Sequence, residues 1–234
     1  MTLLTIVQEA AAEIGLPEPA SVIDNNDNNV RTLLRMANKS GQILTREYDW
    51  TELIQEQTFT TTAAEAQVGA IPANFDHFVN GTIFNRTTDR EVVGPLTPVD
   101  WAREKSSVSG LTVFDAFRLR GGDFLMTPTP TDSETIAFEY VSKYWVDAGA
   151  NSTYDAEAYT TDADLCIFPE RIMTLAVIWR FLAAKGLQYG QQQAVYSSET
   201  LKTIGRDGGA AVLPLAHRRG NLFPTNVQET GYGV

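Results

Sequence analysis

Residues 135–146, TIAFEYVSKYWV, carry the clearest β-strand pattern in the sequence and decide the class of its fold. Ile136, Phe138 and Tyr140 alternate with smaller or charged residues, which is the two-residue period of a strand. Around this stretch, from residue 58 to 146, β-branched and aromatic residues form short runs that Gly and Pro interrupt. This part of the chain is therefore predicted to be rich in β-strands.

A hairpin and a short helix are predicted inside this part. The segment VFDAFRLRGGDFLMTP (113–128) reads as two strands joined at Gly121 and Gly122, because glycines adopt the positive φ angles of a tight turn at little cost. At Thr97 the sequence T-P-V-D offers a helix cap, a proline at the first helical position and an acidic residue in the first turn. Trp101 would pack that helix down.

Helical periods flank the β-rich part on both sides. Apolar residues recur at helical spacing over residues 3–14, a helix that Gly15 can end, and again over residues 30–48. Downstream, residues 172–183 have a broad apolar face, whereas residues 189–204 are mostly polar. The first two helices look like an antiparallel pair whose apolar side must be covered by another part of the chain or by a neighbour.

The patterns together predict an α+β fold. Its main part would be an antiparallel helical bundle of about four helices, with a β-rich insertion of short antiparallel strands and an extended C-terminal tail. Four parts are expected, in chain order: an N-terminal helix pair (1–57), the β-rich insertion (58–146), an acidic loop with C-terminal helices that complete the bundle (147–206), and an extended docking tail (207–234).

Composition excludes several classes of protein. Of the 234 residues 43% are hydrophobic, which is typical of a globular chain. The formal net charge of −11 argues against general binding of nucleic acid by the surface. One cysteine and two histidines are too few for an internal disulfide or the usual zinc sites. No signal peptide or membrane span is recognised, and neither a metal nor another cofactor is expected.

The sequence does not indicate a catalytic site. The sequence has no P-loop, no dinucleotide-binding G-x-G-x-x-G and no nucleophile elbow. Cys166, in the apolar run LCIF, reads as a buried small residue and not as a nucleophile activated by His77. The acidic stretch 132–164 is interpreted as a solvated surface. A catalytic pair of carboxylates stays open, because glycosidase pairs have no fixed spacing; no pair stands out, and Asp162 or Asp164 is an example of an acid to replace. The protein is predicted not to be an enzyme.

The tail from residue 207 gives a sharper hypothesis. It has neither a helical nor a strand period, yet it carries the apolar and aromatic residues that disordered tails usually lack. An extended strap of this kind can place alternating side chains in pockets of another subunit. The residues predicted to bind a partner are Leu213, Leu215, Arg218, Arg219, Leu222, Phe223 and Tyr232.

Several segments in their chain order resemble one family, the head-to-tail adaptors of tailed phages. The segments are MTLLTIVQEAAAEIGLPEPASVI (1–23), YDWTELIQEQTFTT (48–61), IPANFDHFVNGTIFNRT (71–87), FRLRGGDFLMTPTP (117–130) and TLAVIWRFLAAKGLQY (174–189). The resemblance extends to about Gly209 and includes no catalytic residue. It implies a ring, usually of twelve copies, with a helical core, a β-rich insertion and a C-terminal extension that docks on the portal protein.

The leading functional prediction follows from that resemblance. The protein would be a virion component made in the host cytoplasm, a connector that assembles as a ring under the portal, joins capsid to tail and lets DNA pass through its lumen during ejection. Its partners would be the portal, neighbouring copies and a downstream tail protein, with DNA passing without specific binding. Two alternatives stay open: a cell-wall hydrolase of the virion that uses paired carboxylates, and a tail-completion protein one layer further down.

Overall fold

The computed structural model describes residues 2–106, 114–149 and 154–208. Five α-helices lie in these ranges: α1 (Leu3–Ile14), α2 (Asn28–Glu47), α3 (Pro98–Ser106), α4 (Glu170–Ala184) and α5 (Gly190–Asp207). Ten β-strands lie in the same ranges: β1 (Ile54–Thr60), β2 (Ala66–Gln67), β3 (Phe75–Phe78), β4 (Phe84–Asn85), β5 (Arg90–Val93), β6 (Asp115–Arg120), β7 (Asp123–Thr127), β8 (Thr135–Ser142), β9 (Val146–Asp147) and β10 (Leu165–Cys166).

The ends of the first two helices follow from local capping. The Thr2 hydroxyl accepts the N–H of Thr5 at 3.3 Å at the start of α1, and Gly15 ends the helix with a φ of +80°. At the start of α2 the Asp27 carboxylate accepts the N–H of Asn29 at 2.7 Å. Both helices predicted from the sequence are confirmed, and α2 begins two residues before the apolar pattern does.

The central element of the helical part is α4. It packs against α1, α2 and α5, and nine of its fifteen residues are buried. A helix that is surrounded by protein has to be apolar around most of its circumference. Its buried charged residue, Arg180, donates to the Ser40 hydroxyl of α2 at 3.2 Å, and its guanidinium carbon lies 4.4 Å from the centre of the Trp179 ring.

A glycine brings α2 into contact with the segment between β8 and β9. Trp145 in that segment is 1% exposed, and a Cβ atom on Gly41 would lie 2.2 Å from two carbon atoms of its indole. Tyr159 packs edge-on against the same indole with ring centres 5.0 Å apart, and Phe168 lies 5.9 Å away. The helix and the indole therefore share one core only because residue 41 has no side chain.

Eight strands form one mixed sheet in the order β1-β8-β4-β5-β6-β7-β2, with β3 also paired to β8. The strand predicted over residues 135–146 is confirmed over residues 135–142 as β8, whereas Val146 begins β9. The strand β8 pairs antiparallel with β1 from Ile54 opposite Val141 to Thr60 opposite Thr135. On its other edge β8 pairs with β3 and β4. The predicted hairpin is β6–β7, and its turn has φ values of +66° and +91° at the two glycines.

The curled sheet encloses a core of aromatic side chains. Phe117 and Phe124 stack with ring centres 4.9 Å apart, and Phe78 packs edge-on against Phe117 and Phe138 at 5.3 and 5.0 Å. Phe138 of β8 belongs to this core, whereas Val141 of the same strand belongs to the core of the helical part. The strand β8 therefore contributes to both cores.

The short helix predicted at Thr97 is confirmed as α3. The Thr97 hydroxyl accepts the N–H of Asp100 at 3.2 Å, as an N-terminal cap should. Trp101 is 5% exposed, so its ring packs α3 against the rest of the protein, as expected.

The predicted architecture, in contrast, is wrong. The described residues form an α+β fold with five helices and a large curled mixed sheet, a half-barrel, and not a four-helix antiparallel bundle with an insertion of short antiparallel strands. The helix α3 separates β5 from β6 in the chain, and these two strands pair in parallel, with Val92 opposite Asp115. The sheet is therefore mixed and not purely antiparallel. Periodicity identifies strands but does not reveal which strands pair.

Candidate functional site

Asp164, one of the two acids named as examples for the carboxylate hypothesis, is a buried structural residue. Its carboxylate is 0% exposed and accepts the N–H groups of Gly149, Thr160 and Thr161 at 2.6–3.1 Å, together with both threonine hydroxyls. Burial raises the pKa of this carboxyl, but the hydrogen bonds outweigh burial and lower the pKa to about 2. The acidic stretch is therefore not a uniformly solvated surface, since Asp147 is also only 3% exposed.

Asp162 fastens the same loop to the connection between α1 and α2. Its carboxylate accepts the N–H groups of Val22 and Ile23, the shortest oxygen–nitrogen distance being 2.8 Å. The backbone carbonyl of Asp164 accepts the N–H of Leu3 at 2.9 Å, one of the donors that α1 cannot satisfy internally. Both acids hold the helices in place, so they give the paired-carboxylate hypothesis no support.

Cys166 and His77 have separate surroundings. The Cys166 thiol is buried and donates to the Phe168 carbonyl at 3.4 Å, and burial raises its pKa, which makes it a poorer nucleophile. His77 lies on β3 with its ring nitrogens 2.7 Å from Asp76 and 3.2 Å from Asp49. Partial burial lowers the pKa of His77, but the two carboxylates outweigh it and the pKa is raised. These two residues offer no nucleophile–base pair.

The helix α5 keeps most of its surface open. Of its eighteen residues, Tyr196 and Thr200 are the buried ones. Leu201 is 70% exposed and Val195 is 39% exposed. Because only a narrow stripe of α5 is buried against the rest of the protein, a broad face of this helix is available for contact with another protein.

The C-terminal end of α5 is held beside a cleft. The Asp207 carboxylate accepts the N–H and the hydroxyl of Thr51 at 2.8 and 2.9 Å. The cleft has a volume of about 190 Å³, and Trp50, Phe168 and Arg206 are among its lining residues. This fixed end sets the point from which the chain continues beyond Gly208. The predicted docking residues lie outside the described residues: Leu213, Leu215, Arg218, Arg219, Leu222, Phe223 and Tyr232.

A second concave surface, which we call the acidic groove, has a volume of about 600 Å³ and is lined by Glu9 and Glu13 of α1 and by Glu170 and Thr174 of α4. Burial raises the pKa of Glu170, and the neighbouring carboxylate of Glu9 raises it further. The sequence reasoning missed this groove. One signal in the sequence could have indicated the groove: Glu9 and Glu13 are four residues apart and lie away from the apolar side of α1.

The described residues contain neither a cluster of metal ligands nor a helix that could span a membrane. Among residues 2–106, 114–149 and 154–208, no group of three or more His, Cys, Asp or Glu side chains is arranged to hold a metal ion. No helix in the same ranges is both long enough and apolar enough to cross a membrane.

Comparison with known proteins decides the family. A family model described as SU10 adaptor protein matches residues 1–218, which include every described residue. The chain belongs to the SU10 adaptor protein family. The match to this adaptor family also extends over Leu213, Leu215 and Arg218 of the predicted docking residues. No curated protein matches the sequence.

Membership of the SU10 adaptor family confirms the resemblance to phage head-to-tail adaptors that the sequence segments carry. It indicates a structural protein of a bacteriophage and a component of the virion. An adaptor family implies assembly with portal and tail components. An adaptor family also indicates a role without catalysis.

Proposed function

We propose that the protein is a head-to-tail connector adaptor that assembles as a ring beneath the portal and joins the capsid to the tail. The observation that carries this proposal is the match of residues 1–218 to the SU10 adaptor family model. A ring needs heterologous contacts, in which one face of each copy meets a different face of the next. We take twelve as the number of copies, as in the adaptors that the sequence resembles.

The open face of α5 supports the assembly part of this proposal. An eighteen-residue helix with two buried residues leaves room for a further protein surface along most of its length. The bond of Asp207 to Thr51 supports the docking part, because it gives the tail a fixed starting point on the body of the protein. We assign residues 207–234 to binding of the portal.

Passage of DNA through the ring is the third part of the proposal. The net charge of −11 on each copy is repeated around the ring. Acidic groups on the lumen wall would repel the phosphates of DNA within the Debye length of about 10 Å, so that the genome slides without adhering. A channel wall that is predominantly basic in the assembled ring would contradict this part.

Removal of residues 209–234 is expected to abolish binding to the portal and to leave the helical circular dichroism unchanged. The cut lies after Gly208, so the bond between Asp207 and Thr51 is kept. Sedimentation with purified portal protein and electron microscopy of the mixture measure the result. A truncated protein that still binds the portal would show that the tail is not the docking segment.

A variant of full length separates the role of the tail side chains from the length of the tail. Substituting Leu222 and Phe223 by Ala is expected to weaken portal binding at least tenfold, because buried apolar anchors supply most of the affinity of an interface. Substituting the nearby polar residues Thr225 and Gln228 by Ala is the matched control. A protein that binds the adaptor layer but never the portal itself would be a tail-completion protein instead.

A further inference from the structure

The helix α2 carries a row of basic side chains on the side that faces away from the helical core. Arg31, Arg35 and Lys39 are all exposed and follow one another at intervals of four residues, so they lie on one side of the helix. We call this row the basic stripe. Val30 and Leu33, in contrast, are buried in the core. No salt bridge among the described residues engages any of the three basic side chains.

The acidic groove contains polar atoms that are buried without a partner. Among the described residues, neither Glu170 Oε1 nor Thr174 Oγ1 has a hydrogen-bond partner, and Thr174 is 6% exposed. Such atoms are rare in native structures, because each loses its bonds to water without replacing them. The carboxyl group of Glu9 also raises the pKa of Glu170, through its charge and through a hydrogen bond. The groove therefore holds two polar atoms that a hydrogen-bond donor from another molecule could satisfy.

The arginine that lines the same groove, Arg171, makes no hydrogen bond to either of these two atoms. Arg171 contributes to the lowered pKa of Glu199 on α5, behind the hydrogen bond from Lys202. For Glu170, in contrast, the neighbouring side chain that acts on the pKa is Glu9, which raises it.

We propose that the acidic groove of one copy receives the basic stripe of α2 from the next copy of this chain. Arg31 and Arg35 stand one turn apart, about 6 Å, as do Glu9 and Glu13, so two charge-assisted pairs can form at once. Each copy carries both surfaces, one on α1 and α4 and the other on α2, as a contact repeated around a ring requires. This inference rests on the ring in the proposed function and names its lateral contact.

Charge reversal on full-length protein tests the contact. One variant carries Glu9→Lys and Glu13→Lys, and a second carries Arg31→Glu and Arg35→Glu. In both, ring formation on purified portal, followed by electron microscopy and sedimentation velocity, is expected to fall at least tenfold, because like charges then meet at every contact. Glu91→Lys with Glu104→Lys is the matched control, which changes the net charge as the first variant does and is expected to assemble normally.

A mixture of the two variants excludes misfolding as the cause. In an equimolar mixture the unchanged stripe of the first variant meets the unchanged groove of the second, and the two reversed surfaces also attract each other. Alternating rings are therefore expected to form, although each variant alone assembles at least tenfold less than the wild-type protein. This contact would be overturned if the mixture forms no rings, or if each variant alone assembles normally. In either case a wild-type ring on the portal would still support the proposed function. A wild-type protein that forms no ring with the portal would overturn both.

Discussion

Replacing Gly41 by alanine is expected to lower the free energy of unfolding by about 3 kcal/mol. The new Cβ would lie 2.2 Å from two atoms of the Trp145 indole and 2.5 Å from a third, whereas carbon atoms in contact stand about 3.5–4.0 Å apart. The indole cannot retreat, because Tyr159 and Phe168 pack against it. The higher helix propensity of alanine, about 1 kcal/mol, offsets only part of the clash. Unfolding in urea, followed by circular dichroism, measures the loss.

The matched control for this variant is Gly205→Ala in α5. A Cβ at residue 205 would meet no atom within 4 Å, so only the gain in helix propensity remains. This variant is expected to be more stable than the wild-type protein by up to about 1 kcal/mol. Equal stability of the two variants would show that Trp145 does not restrict residue 41.

Substituting Asp164 by alanine is expected to lower the free energy of unfolding by about 4 kcal/mol, because three buried N–H groups lose their acceptor. The wild-type protein also owes part of its stability to the lowered pKa of this carboxyl. With a pKa of about 2 in the folded protein and the ordinary 3.8 in the unfolded chain, that part is fully present above about pH 4 and is lost as the pH falls through 2. The difference corresponds to about 2 kcal/mol.

Urea unfolding of the wild-type protein and of Asp164→Asn between pH 6 and about pH 2 measures the pH-dependent part. The asparagine variant has no carboxyl at this position, so its stability is expected to depend less on pH over that range. Asp132→Asn, an exposed acid of the same acidic stretch, is the control and is expected to change stability by less than about 0.5 kcal/mol. A wild-type pH dependence that survives in Asp164→Asn would have to come from another group.

Local signals in the sequence were sufficient for several elements. The cap of α3 at Thr97, the hairpin at Gly121 and Gly122 and the alternating residues of β8 each depend on neighbours in the chain, so their structure could be predicted. The parallel pairing of β5 with β6 could not, because it depends on where α3 and the following residues carry the chain. The same limit explains why the predicted helical bundle gave way to a half-barrel sheet.

The candidate surfaces also have parts that the sequence pattern indicates and parts that depend on the fold. Glu9 and Glu13 lie on one side of one helix, and the basic stripe of α2 has an equally local spacing, so both patterns are visible in the sequence. Glu170 lies far along the chain and joins the groove only because α4 packs against α1. The role of Asp164 was equally hidden, since its three backbone donors come from a folded loop and not from a motif.

The strands β1 and β8 make the two halves of the protein mechanically continuous. Ile54 of β1 and Val141 of β8 lie opposite each other at the helical core, whereas Phe59 and Ile136, opposite each other further along the same ladder, lie at the aromatic core. The chain thus crosses from one core to the other twice, along two strands that are bonded to each other. Twisting of the helical part against the sheet would have to break hydrogen bonds between β1 and β8, so we expect the two parts to move together.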